Sequence, residues 1–259
     1  MTIIQAIIIS IVEGLTEFLP ISSTGHMILA SAALGIENNE FHKTFEISIQ
    51  LGAIFAIVLM YARQFLKSFE IYTKLFVAFI PTAVAGFLAY GFIKQYLFSP
   101  LVVSISLIIG GIILIWIDKI VINKKSEFEN LEKISIKNAF FIGLIQCISM
   151  IPGVSRAGAT IVGGVFNGFD KKKATEFSFL LAVPTMIAAT GYDLLKTPLE
   201  FTDNQILLLI IGLAGSFIFA WIAVKLFLSY VNKYGFAAFG WYRIAIGLLF
   251  LVLIWNKLI

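Results

Sequence analysis

Charge is scarce in this chain. Only 13% of its 259 residues are Asp, Glu, Lys or Arg, against 59% hydrophobic, and the mean hydropathy is +0.97. Those values exclude an ordinary soluble domain. Cysteine is nearly absent. Cys147 alone cannot close an intrachain disulfide; in an apolar helix it reads as packing and says nothing of redox compartment. The first apolar stretch lacks a basic n-region and carries Glu13 and Glu17 where a cleavable signal would be plain, so it is expected to be mature structure. The small positive balance, +4 with a pI near 9.1, falls as lysines in short loops rather than along one stripe, which argues against a nucleic-acid partner.

What the chain has instead is apolar runs long enough to cross hydrocarbon. They predict an all-α polytopic membrane protein, a single integral membrane domain over 1–259, with six transmembrane helices at about 44–62, 73–93, 100–122, 174–195, 205–231 and 236–258. Two further apolar regions, 1–35 and 135–168, are cut by Pro20 and Pro152, with Gly14, Gly25, Gly153 and Gly158, into halves too short to span. They read as re-entrant helical hairpins, permitted only where the broken backbone is buried in protein or lines a wet cavity. On that placement thirteen of the nineteen basic residues, Lys124 and Lys125 among them, gather on one face. Four, Lys43, Lys94, Lys196 and Lys257, lie on the other, and Arg156 and Arg243 stay inside. The richer face is expected in the cytoplasm, with both termini outside; two full crossings per hairpin would give the same parity.

The chain also repeats itself. Ser22-x-x-Gly25 recurs as Ser155-x-x-Gly158, Glu13 aligns with Gln146, and Glu46-Ile-Ser48 resembles Glu176-Phe-Ser178. Residues 1–122 and 135–258 then form two repeats of one hairpin plus three crossings. An odd number of crossings inverts the second against the first, and the two hairpin tips are expected to meet near the midplane.

Chemistry concentrates in those hairpins. Glu13 and Glu17, four residues apart, project from one helical face and read as metal ligands or proton carriers, or else as a snorkelling pair near the surface. In Pro20-Ile-Ser-Ser-Thr-Gly-His26, His26 follows Ser23 by three residues and Ser22 by four, which stacks an imidazole over hydroxyls; the other reading is a capping serine and a satisfied histidine. In Pro152-Gly-Val-Ser-Arg-Ala-Gly-Ala-Thr160, glycines, free N–H groups and Arg156 make the elements of a phosphate cradle. A guanidinium there needs an anionic ligand or a carboxylate such as Glu13 or Glu17. Glu46 and Glu176, with Gln50, are expected to orient the hairpins by hydrogen bonds, direct catalysis being the other reading. Arg243 after Trp241-Tyr242, with Trp116 and Trp255, reads as an anchor at the headgroup layer. The lysines at 171–173 read as a solvated loop and His42 as a loop residue. Gly110-Gly111 suits close helix packing within the chain or between two copies in a homodimer.

At these residues the sequence closely resembles the undecaprenyl-diphosphate phosphatase family, also called the BacA type. The likeness lies in Glu-Gly-Leu-Thr-Glu-Phe-Leu-Pro-Ile-Ser-Ser-Thr-Gly-His from Glu13 to His26 and in Pro152 to Thr160, supported by 45–52 and 176–184. One departure is Ala157, where the family pattern usually has a second serine, so one phosphate hydrogen bond is lost. The resemblance implies hydrolysis of undecaprenyl diphosphate to the monophosphate with a divalent ion, recycling the cell-wall lipid carrier at the outer face of the bacterial plasma membrane and conferring bacitracin resistance. On that footing Glu13 and Glu17 are expected to hold Mg²⁺ or Ca²⁺. Ser22, Thr24, Gly153, Ser155, Arg156 and Thr160 would bind phosphate oxygens, Ser23 or a water would attack, and His26 would move the proton. The rival is a secondary transporter or lipid flippase, since inverted repeats with broken hairpins serve transporters too. Transport, however, leaves the Ser23–His26 pairing without a purpose.

Overall fold

The computed structural model describes all residues except 38, 68, 93–98, 122–125, 197–200, 257 and 259, together with the backbone alone at a few flanking positions. Lys94, Lys124, Lys125 and Lys257, and the span ends expected at 93 and 122, lie outside the described residues. Among the described residues every regular element is a helix. In chain order these are α1 (Ile3–Thr16), α2 (Ser23–Ala33), α3 (Glu40–Met60), α4 (Ala62–Lys67), α5 (Phe69–Phe92), α6 (Pro100–Val121), α7 (Ile136–Gln146), α8 (Arg156–Phe166), α9 (Lys171–Lys196), α10 (Asp203–Tyr234) and α11 (Ala237–Trp255).

Six of them, α3, α5, α6, α9, α10 and α11, are long and apolar enough to cross a membrane. Their outward faces carry Phe87, Leu88, Ile109, Leu226 and Trp255 exposed, surface that lipid tolerates and water does not. The chain is a multi-pass membrane protein. Trp116, half exposed on α6, belongs to that outer surface. His42 is not in a loop. The Asn39 side chain accepts its N–H at 2.9 Å and so caps α3, and the ring is 4% exposed with Nε2 3.2 Å from Glu46 Oε1.

The short helices form two pairs, α1 with α2 and α7 with α8. Thr2 and Gln5 start α1 with reciprocal cap bonds, and the helix stops shortly before Pro20, as proline's restriction of its predecessor requires. At 14 residues it is about 21 Å long, short of a hydrocarbon core of about 30 Å. Ser135 caps α7, which tightens into a 3₁₀ turn at Cys147–Met150 before Pro152.

Helix pairing crosses between the halves of the chain: α1 and α3 pack on α10, α5 packs on α7, α3 on α9, and α6 on α11. Close approach is needed at Gly111, where a Cβ would run into the Gly240 carbonyl, and Gly110 faces the Arg243 side chain. The Gly110-Gly111 pair is therefore spent inside the chain, between α6 and α11.

Candidate active site

The turn between α1 and α2 faces the turn between α7 and α8. Ser155, at the head of α8, donates to the Leu19 carbonyl at 3.5 Å and accepts the Gly158 N–H at 3.1 Å. Ser22 and Ser155, aligned by the repeat, are the two non-glycine residues with positive φ among those described, at 70° and 74°. Each such residue stores about 1–3 kcal/mol of strain and such positions gather at functional sites.

Around this contact lies a buried ionic cluster. Glu17 follows α1 directly. Its Oε1 accepts from Arg156 Nη2 at 3.1 Å, and its Oε2 accepts the Ser23 hydroxyl at 2.5 Å. Both side chains of the ion pair are nearly inaccessible, 8% for Glu17 and 11% for Arg156. Arg156 also donates Nη1 to the Ser178 carbonyl at 3.0 Å, touches Met186 Sδ at 3.4 Å, and lies 5.5 Å from the Phe18 ring centre. Arginine's planar fork suits this kind of shared site, which a lysine could not reproduce. Glu13 is fully buried, and neither of its oxygens has a hydrogen-bond partner. Its charged neighbours are Glu17, Glu46 and Arg156.

An orphaned buried carboxylate beside a second one is a fit for a hard divalent cation, which takes oxygen ligands. Among the described residues no group of three or more His, Cys, Asp or Glu is placed to hold a metal ion by itself. Glu13 and Glu17 would therefore supply part of a coordination shell whose remaining oxygens come from ligand and water.

Ser23 and His26 lie on one side of α2, but each takes a different hydrogen-bond partner. Ser23 spends its hydroxyl on Glu17. His26 Nδ1 lies 2.8 Å from the Ser22 carbonyl and Nε2 lies 2.7 Å from the Tyr242 hydroxyl. A carbonyl only accepts, so Nδ1 carries the hydrogen, and in the neutral ring Nε2 takes the tyrosine's proton in a hydrogen bond. The physical reason is reach: spacing of three on α2 puts the two residues on one side of the helix, but Glu17 and Tyr242 meet them first.

The remaining sequence candidates divide. Ser22 and Ser155 sit at the cluster's edge through the strained turns. Thr24 is half-buried in the first turn of α2. Thr160 is buried and already engaged, with the Arg156 carbonyl at 2.9 Å and Ser178 Oγ at 2.6 Å, so it ties α8 to α9. Gly153 packs on α6, where a Cβ would meet the Val103 carbonyl. Glu46 accepts from Ser31 at 3.3 Å and so joins α2 to α3. Gln50 meets Thr190 at 3.5 Å, and Glu176 has Lys172 at 4.0 Å as its ion-pair partner; neither is drawn into the cluster by these contacts.

Two residues went unrecognised in the sequence. Tyr242 holds His26. Arg243, inside by the count of basic residues but read from Trp241-Tyr242 as a headgroup anchor, is 1% exposed and donates to five backbone carbonyls: Leu107, Pro20, Val154, Ser106 and Gly153. The available signal was an arginine without a nearby acid inside the apolar run of α11; the aromatic pair before it suggested an interfacial belt instead.

Residues 6–249 match the family model described as bacitracin resistance protein BacA. The chain is 50% identical over 254 residues to the undecaprenyl-diphosphatase of Persephonella marina, an alignment covering 98% of this chain and all of that one. It is 51% identical over 256 residues to that of Bdellovibrio bacteriovorus, covering 99% and 97%, and 49% identical over 251 residues to that of Aquifex aeolicus, covering 96% and 98%. With the motif turns apposed and nearly the whole chain matched, this protein belongs to the bacitracin resistance protein BacA family.

Proposed function

We propose that this chain is an integral membrane phosphatase that hydrolyses undecaprenyl diphosphate to undecaprenyl phosphate and inorganic phosphate, recycling the cell-wall lipid carrier and conferring bacitracin resistance. Relatives at about half identity over nearly their full length bear the name undecaprenyl-diphosphatase. The observation that carries the chemistry is the Ser23 hydroxyl 2.5 Å from Glu17 Oε2, with Arg156 on the other oxygen of the same carboxylate.

The arrangement supports the following course. The terminal phosphate enters beside Arg156 and exchanges places with the Glu17 carboxylate as the guanidinium's anion. Glu17 Oε2 takes the Ser23 proton, Ser23 Oγ bonds to the terminal phosphorus, and the phosphorus–bridging-oxygen bond breaks to release the lipid monophosphate. Water then attacks the phosphoserine phosphorus, Glu17 returns its proton to Ser23 Oγ as the Ser23–phosphorus bond breaks, and inorganic phosphate leaves with the water's oxygen and hydrogens. His26 moves a proton at Nε2, held by Tyr242 until substrate arrives. Glu13 and Glu17 would hold Mg²⁺ or Ca²⁺, which when bound neutralises charge on the diphosphate. Loss of the Tyr242 hydrogen bond, in Tyr242→Phe, is expected to lower kcat by about fivefold to tenfold with KM little changed; an unchanged kcat would remove Tyr242 from the proton path.

The two broken-helix pairs are proposed to be re-entrant hairpins of an inverted repeat. In support, α1 on α10 has its counterpart in α7 on α5, while α3 on α9 and α6 on α11 pair equivalent helices. The lysine-rich loops then face the cytoplasm and the site opens to the cell exterior or periplasm of the plasma membrane. A homodimer, if formed, uses a surface other than Gly110-Gly111. A transporter or flippase would have no use for a serine hydroxyl donating to a buried carboxylate.

The test is phosphate release from undecaprenyl diphosphate by purified protein in detergent, with and without EDTA. Metal-dependent release is expected, along with acid-stable labelled phosphate on Ser23 under single turnover. Release without label would mean that water attacks directly; no release from folded protein supplied with Mg²⁺ or Ca²⁺ would favour the transporter.

A further inference from the structure

We infer that Arg243 is a positioning residue that holds the two hairpin turns against each other and so brings Ser23 and Glu17 to Arg156; the inference rests on the phosphatase reading. A guanidinium has five N–H donors, and here each has an acceptor. Nε donates to the Leu107 carbonyl at 3.3 Å, Nη1 to Pro20 at 3.0 Å and Val154 at 2.9 Å, and Nη2 to Ser106 at 3.0 Å and Gly153 at 2.9 Å. The acceptors come from three segments: the first turn, the second turn, and α6, which serves as a fixed support. With its donors occupied, the side chain has none left for substrate, so it acts through the groups it holds.

Breaking a helix inside a membrane frees carbonyls that water cannot reach, and each must find a donor. Pro20, Gly153 and Val154 lie at those breaks, and one cation satisfies all three. Pro20 is three residues from both Glu17 and Ser23, and Val154 is two from Arg156, so any shift at the clamp is passed almost undiminished to the reacting groups. The surroundings are shaped for it. A Cβ on Gly110 would overlap the guanidinium, and one on Gly158 would come within 3.3 Å of Nη1. Lysine, with three donors on a point charge, cannot span the same set.

The experiment compares wild type with Arg243→Lys, Arg243→Met and Gly110→Ala, each purified full length in detergent. Steady-state phosphate release is measured together with hydrogen exchange of peptides covering 17–24, 152–158, α6 and α11. Displacing the clamp is expected to lower kcat about 100-fold with KM changed less than about threefold, lysine recovering part of the loss. Exchange should quicken at both turns and stay slow along α6 and α11. Should Arg243→Met fail to fold, Gly110→Ala decides, because it keeps the arginine and only crowds its seat. Wild-type kcat and turn protection in Gly110→Ala and Arg243→Lys would overturn the inference, as would exchange rising equally along α6 and α11. Absence of phosphate release from wild type would remove the phosphatase reading while the exchange pattern still judged the clamp.

Discussion

Glu17→Gln is expected to cut phosphate release by about 1,000-fold, the middle of the range for losing a general base. Glutamine keeps the size of the side chain and a carbonyl oxygen to face Arg156 or Ser23, but it cannot take the Ser23 proton. With Mg²⁺ raised to saturation to offset the weaker metal ligand, the effect should fall on kcat, with the protein still folded. The Ser178 carbonyl still accepts from Arg156 Nη1, so the guanidinium keeps an acceptor on either side of its fork. Truncation to alanine is a different experiment. It strips Arg156 of its 3.1 Å partner in a site only about a tenth exposed, where breaking a buried pair costs about 3–5 kcal/mol. Steady-state kinetics beside thermal unfolding in detergent separate the two effects. A Glu17→Gln protein releasing phosphate at the wild-type rate would take Glu17 out of the proton transfer.

Arg156→Met should be at least as damaging, by about 1,000-fold or more, the loss typical when an arginine that stabilises a phosphoryl transition state is removed. It should also destabilise the resting protein, because Glu13 and Glu17 then share a buried site with no guanidinium between them. Arg156→Lys keeps a charge but not the fork that meets Glu17 and the Ser178 carbonyl together, so about 100-fold is expected. The stability of Glu17→Gln with Arg156→Met combined is the sharper readout. The double variant should be more stable than Arg156→Met alone, since removing the unpaired carboxylate relieves part of the penalty. Strict additivity of the two single changes would mean that the pair seen at 3.1 Å is not energetically coupled.

How far the sequence reaches differs from residue to residue. Pro20 and Pro152 mark the helix breaks without any knowledge of packing, because proline's missing N–H and fixed φ act on its own chain neighbours. Arg156 inside an apolar stretch announces a need for an anion, and Glu13 and Glu17 are the acids available in the matching hairpin. Which of the two it meets is another matter. The fold gives Arg156 to Glu17 and leaves Glu13 without a hydrogen-bond partner, a choice that depends on the rotation of α1 against α8. Ser23 and His26 show the limit most clearly: helical spacing makes them neighbours, yet each is taken by a residue from outside that register, Glu17 and Tyr242. His42 was misjudged because its polar surroundings hide the cap at Asn39 that starts α3 one turn earlier than hydropathy suggests.

The solvent, the six long apolar runs, the two interrupted ones and the motifs at their breaks are all legible in the order of residues alone. All of these follow from interactions between a residue and its nearby chain or the bilayer. That Ser23 answers to Glu17, that His26 answers to Tyr242, and that Arg243 binds both turns emerges from the packing of the folded chain. Those pairings join residues far apart in the chain, through contacts that exist only once α11 lies on α6 and the two turns face each other. No local pattern encodes an angle between helices, and a hydrogen bond is decided over a few tenths of an ångström.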